Sequence, residues 1–100
     1  MKKGTFITVL IVAGLLALSA NGKKQSAVLP DSTGRTLEVA WDDTRQAGFT
    51  TLTSHDALGK GRMQLLARNW KVCSQSPAAG RHAATTPIDF TVVKRNERCP

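Results

Sequence analysis

Val72-Cys73-Ser74-Gln75-Ser76-Pro77-Ala78-Ala79-Gly80, followed by Ile88-Asp89-Phe90-Thr91-Val92, decides the fold of this chain. The first stretch reads as a strand running into a turn marked by Pro77 and Gly80, and the second alternates apolar and polar side chains as a half-buried strand does. Together they predict an antiparallel β-hairpin pairing residues near 71–76 with residues 88–93. Successive strand side chains point to opposite faces, so Ile88, Phe90 and Val92 are expected on the packed face and Asp89 on the outer one.

Upstream, Leu37, Ala40, Trp41, Thr44 and Ala47 fall at helical spacing, which predicts a helix over residues 36–47 with one face turned inward. Thr36 suits the N-cap, because its hydroxyl can accept a bond from an otherwise unpaired amide of the first turn. Glu38, Asp42 and Asp43 in the first two turns and Arg45 near the end suit the helix dipole. Gly48 stands where the chain must turn left-handed to leave the helix. Residues 49–54 are rich in β-branched side chains and predict a short strand, whereas residues 55–62, with Gly59 and Gly61, read as a loop. Residues 63–70 admit two readings: Met63, Leu66, Ala67 and Trp70 share a helical face, while the segment that follows is extended. The order expected is helix, strand, long loop, strand, turn, strand.

These pieces resemble a PASTA domain, the small extracellular module attached to penicillin-binding proteins and to bacterial serine/threonine kinases. Such modules begin with a Pro, a short spacer and a Gly. A helix then opens with Ser/Thr-Leu, carries Ala three residues later and stops at Ala-Gly before an apolar residue. Their C-terminal half has a strand ending in Gln-Ser-Pro, then Ala-Ala-Gly, then an apolar alternating strand. This chain supplies Pro30, Gly34, Thr36-Leu37, Ala40, Ala47-Gly48 and Phe49, then Gln75-Ser76-Pro77, Ala78-Ala79-Gly80 and the alternating run from Ile88, in that order. The resemblance spans residues 29–94. Thr44 departs from it, where the family usually has a large apolar residue, and so does Trp70, where a Gly often opens the second strand.

The resemblance implies an α+β fold, one helix packed on a small three-stranded antiparallel β-sheet, in a domain over residues 29–100 with a variable loop at 56–68. It also implies non-catalytic binding of cell-wall material, such as uncrosslinked peptidoglycan stem peptides or related glycans. PASTA modules also serve as spacers and partner-binding units, so the alternative is a protein-interaction adaptor or inhibitor docking on another exported protein.

The N-terminus bears on location. Lys2 and Lys3 precede an apolar stretch from Phe6 to Leu18, followed by small and polar residues. That is the layout of a secretory leader, and the stretch is short for a spanning helix. Residues 1–20 are therefore expected to be a signal peptide, or, left uncleaved, a membrane anchor, with residues 21–28 a linker. Asn21 stands where a lipoprotein leader would carry its lipid-bearing cysteine, which excludes lipidation there. The expected location is outside a bacterial cell, either secreted or at the outer face of the membrane and wall.

The residues after the leader, about eighty, suffice for one small domain, and a core that thin often needs a staple. An oxidising compartment lets disulfides persist, so Cys73 and Cys99 are expected to pair as a structural disulfide, a bridge that typical PASTA modules lack. Redox and metal roles are disfavoured: there is no close Cys pair and no His spacing to complete a site.

The net charge is +7, and Lys2 and Lys3 account for two of these charges, leaving +5 on the exported part. Lys60, Arg62, Arg68, Lys71 and Arg81 cluster in sequence around the long loop and the hairpin turn. With Trp70 as a flat contact face, they are the candidate ligand-binding residues. A basic surface favours anionic polymers; outside a cell these are peptidoglycan carboxylates, teichoic-type polymers or lipid headgroups. Nucleic acid is disfavoured by export and by the lack of an aromatic platform.

No catalytic constellation emerges. His55-Asp56 lacks further metal-ligating partners and reads as loop surface. Asp42 and Asp43 are adjacent on a helix and cannot face each other as an acid/base pair. His82 has Ser74 and Asp89 in its sequence neighbourhood, but no nucleophile motif surrounds any serine. The expectation is a protein that is not an enzyme and that needs no cofactor or metal.

Overall fold

Thr36 takes an extended conformation (φ −67°, ψ 154°), and its hydroxyl accepts the Val39 N–H at 3.3 Å, which starts α1, Leu37–Ala47. In this computed structural model the chain is described over residues 25–100, so the leader or anchor expected at residues 1–20 lies outside the described residues. The helix ends as Gly48 turns left-handed at φ 115°. Its N–H then reaches the Arg45 carbonyl and the Phe49 N–H reaches that of Thr44, which satisfies two carbonyls the helix would otherwise leave bare. Leu37, Ala40 and Thr44 are buried, and Trp41 and Ala47 pack partly against the same core.

Among the described residues, five strands accompany the helix: β1 Ser26–Leu29, β2 Leu52–Asp56, β3 Trp70–Ser76, β4 Gly80–Ala83 and β5 Ile88–Lys94, with a 3₁₀ turn, Ala67–Asn69, before β3. β3 and β5 pair antiparallel, with Val72 opposite Val92 and Gln75 opposite Phe90. Ile88, Phe90 and Val92 are fully buried, and Asp89 is only half-buried, the alternation read from the sequence.

The sheet itself differs from expectation in three ways. It is mixed, not antiparallel: its order is β2-β5-β3, and β2 runs parallel to β5. The chain reverses between β2 and β3 and again between β3 and β5, and two reversals bring β5 back to the direction of β2. Second, β3 and β5 are not joined by a simple turn. Their connection contains β4, which leaves this sheet and pairs antiparallel with β1 in a separate two-stranded sheet. β1 begins inside the stretch expected to be linker. Third, β2 extends through His55 and Asp56, which were expected in the loop, because each of its residues pairs with one of the central strand, from Leu52 with Ile88 to Asp56 with Val92. Phe49, expected in that strand, instead fills the core.

One cluster joins Leu29 of β1, Leu37 and Ala40 of α1, Phe49, and Trp70, Val72, Ile88, Phe90 and Val92 of the larger sheet. Fully burying such side chains contributes about 1.5–3 kcal/mol each. The cluster lies wholly within residues 29–92, so residues 25–100 hold a core of their own, the condition for folding as a unit. Cys73 and Cys99 form a disulfide with Cα atoms 5.6 Å apart, and no cysteine is free. Cys73 sits at the register shift between Val72 and Ser74, so the bridge ties the end of the chain to the irregular point of β3.

The segment entering the helix is sewn to β3. The Gln75 amide donates to the Pro30 carbonyl at 3.0 Å and accepts the Ser32 N–H at 2.8 Å. Gly34 donates to the Val72 carbonyl and Val72 to that of Arg35.

Candidate binding groove

After β2 the chain uses thirteen residues, 57–69, to reach the opposite edge of the sheet, and apart from the 3₁₀ turn this crossing has little regular structure. What shapes it is a three-residue ion network. Asp56, at the end of β2 and 7% exposed, accepts the Leu58 N–H, the Arg62 N–H and two bonds from the Arg62 guanidinium, the shorter at 2.8 Å from Nε. The other edge of the Arg62 guanidinium is held by Glu97, at 3.1 and 3.0 Å, and Glu97 also accepts the Lys94 N–H. A planar guanidinium forked between two carboxylates is the strongest polar arrangement available to these side chains. The hydrogen bonds from Arg62 hold the Asp56 carboxyl well below the usual carboxylate range and lower that of Glu97, and the two carboxylates raise the Arg62 pKa in turn. The guanidinium also lies 5.1 Å over the Trp70 ring, where a cation is attracted to the aromatic face.

Pinned in this way, the loop forms one side of an open groove of about 730 Å³. Met63, Leu65 and Leu66 line it from the loop, Asn69 and Trp70 from the 3₁₀ turn and the start of β3, and Lys94, Arg95 and Asn96 from the end of β5. The Arg95 N–H bonds the Asn69 carbonyl at 3.0 Å, which ties the two sides together. Met63 is 73% exposed, Leu65 78% and Leu66 50%. With Leu58 at 36%, they put on this loop four of the five exposed large apolar residues among those described. Such clustering is what marks an interaction surface, whereas isolated exposed apolar residues do not. Among the described residues, no carboxylate lines the groove.

The residues proposed from sequence are dispersed by the fold. Trp70 borders the groove but is only 4% exposed and lies under Arg62. It is a core residue and offers no flat face to a sugar. Arg62 is spent on Asp56 and Glu97. Arg68 is exposed on the 3₁₀ turn beside the groove, and Lys60 is exposed in the loop close enough to Glu97 to help depress its carboxyl. Lys71 lies on β3 opposite Val93 and bridges to Thr36; Arg81 lies on β4 and donates to Ser26 Oγ at 3.0 Å. Neither lines the groove. Sequence reading missed Met63, Leu65, Leu66, Asn69, Lys94, Arg95 and Asn96. Three large apolar side chains within four residues, just past Gly59 and Gly61 and without strand alternation, were the available signal.

A second polar cluster lies on the outer face of the sheet. His55 Nδ1 is 2.8 Å from Asp89 Oδ2, Thr53 donates to Asp89 Oδ1 at 2.7 Å, and Thr91 Oγ1 is 3.3 Å from His55 Nε2. His55 thus pairs with Asp89 across the strands, while Asp56, its neighbour in sequence, points into the Arg62 network. His82 contacts the Ala78 carbonyl. Among the described residues, no three His, Cys, Asp or Glu side chains gather as a metal site requires, and no helix is long and apolar enough to cross a membrane. No protein-family model matches the chain, and no curated protein matches its sequence.

Proposed function

We propose that this chain carries a PASTA-like, non-catalytic binding domain of an exported bacterial protein, and that the groove takes cell-wall material of the uncrosslinked stem-peptide class. The observation that carries the reading is the groove's chemistry: Lys94 and Arg95 supply cations for carboxylates, and Asn69 and Asn96 supply amides for peptide groups. The placement of the residues that carry the resemblance supports it. Pro30 and Gln75, from the two halves of the motif, meet through a hydrogen bond, and Gly48 ends the helix in the left-handed conformation.

The test is sedimentation with insoluble, lipid-free peptidoglycan at low and moderate salt. Binding that persists at moderate salt and falls on Lys94→Glu and Arg95→Glu supports recognition, because charge attraction alone is screened beyond a Debye length. If the protein leaves the wall entirely at moderate salt, the reading falls and the adaptor reading takes its place.

A further inference from the structure

The apolar lip of the groove has chemistry that a hydrated wall polymer does not use. Met63 and Leu65 are the two most exposed large apolar side chains described, and Leu66 stands beside them. Exposed Arg68, Lys94 and Arg95 adjoin them, and among the described residues none of the three makes an ion pair. The acids nearest in the fold, Asp56 and Glu97, are both turned onto Arg62. A second copy of the chain would set like charges against like, so the complementary surface is anionic. The apolar side chains project outward on a loop whose base is fixed, a shape suited to a fluid interface.

We propose that this loop docks on anionic phospholipid bilayers: Met63, Leu65 and Leu66 enter the headgroup–acyl boundary while Arg68, Lys94 and Arg95 meet lipid phosphates. Burial of apolar side chains combined with attraction to anionic lipid is the physics of interfacial attachment. The Arg62 network serves it by holding the apolar lip against the cationic side while the tip stays exposed. The inference does not depend on wall binding.

The experiment uses residues 25–100 with the disulfide intact, so that the apolar N-terminal stretch cannot insert in the loop's place. It measures co-sedimentation with vesicles of equal parts phosphatidylglycerol and phosphatidylcholine, and with vesicles of phosphatidylcholine alone. Binding is expected to the first and to be weak to the second. Each Lys or Arg near an anionic surface is worth about fivefold in partitioning, so Lys94→Glu with Arg95→Glu should reduce binding more than tenfold. Met63→Ser with Leu65→Ser should reduce it about tenfold at unchanged melting temperature, since both side chains are exposed. A Leu65→Trp variant should be quenched by brominated acyl chains beyond the wild-type signal. Absence of binding to anionic vesicles at low salt overturns the proposal. So does unchanged binding of the Met63→Ser, Leu65→Ser protein, which would reduce the attachment to charge alone. The vesicles contain no wall and the wall preparation no lipid, so failure of one reading is visible apart from failure of the other.

Discussion

Gln75 and Ser32 are 43 positions apart in the chain, and the side-chain oxygen of the first accepts the backbone N–H of the second at 2.8 Å. The same amide donates to Pro30, so one side chain closes both ends of the turn that leads into the helix. Gln75→Ala leaves a donor and an acceptor without partners, at a cost of about 1–3 kcal/mol for each that stays buried. Gln75→Glu keeps the acceptor and loses the donor to Pro30. Chemical denaturation should place both variants below wild type, with Gln75→Glu falling further as its carboxyl ionises.

Thr44 is fully buried, and its hydroxyl has no hydrogen-bond partner among the described residues. Thr44→Val keeps the shape and removes the unsatisfied group, so it should stabilise the protein by about 1 kcal/mol or more. A lower denaturation midpoint for Thr44→Val would mean that the hydroxyl is satisfied in solution.

Acid should loosen the groove before it unfolds the core. Asp56 and Glu97 have carboxyls depressed in the folded protein, chiefly by hydrogen bonds from Arg62. Their contribution is therefore complete above the unfolded carboxylate values of about 4, and is lost as pH falls below them. The melting temperature should be flat from neutral pH to about 5 and decline below about 4. Asp56→Asn should lower the plateau and flatten the acid decline. Arg62→Glu, which strands two carboxylates beside a third, should disorder the loop at neutral pH, visible as faster amide exchange over residues 57–66.

The Cys73–Cys99 bridge should leave no titratable thiol in material purified without reductant. Closing a loop of this size constrains the unfolded chain by about 3 kcal/mol, so reduction should lower the melting temperature by roughly 10–20 °C. The helix and sheet signals below the transition should persist, because neither cysteine belongs to the core cluster.

What was legible in the sequence is what local chemistry decides. Thr36 and Gly48 bracket α1 through caps that act within a turn, and the alternation in β5 follows from burial of one face of a single strand. β1 and β4 escaped because each is four residues long with little apolar patterning; their pairing is set by where the rest of the chain puts them. The parallel course of β2 is a property of topology, and strand composition does not encode it. The lining of the groove was hidden for a similar reason. Positive residues in sequence order indicated the loop, but sequence order does not reveal that Arg62 is consumed by Asp56 and Glu97, or that the tail after β5 completes the site.

The strand that joins β2 to β3 is the last of the five. While the chain is being made, β2 and β3 emerge with no neighbour to pair with in the finished sheet, and the helix meets Leu29, Phe49, Trp70 and Val72 without the Ile88, Phe90 and Val92 side chains that complete the core. Ribosome-bound chains halted before residue 88 should thus remain open to proteases and chaperones, and the fold should close in one late step, with Cys99 arriving in time to lock it.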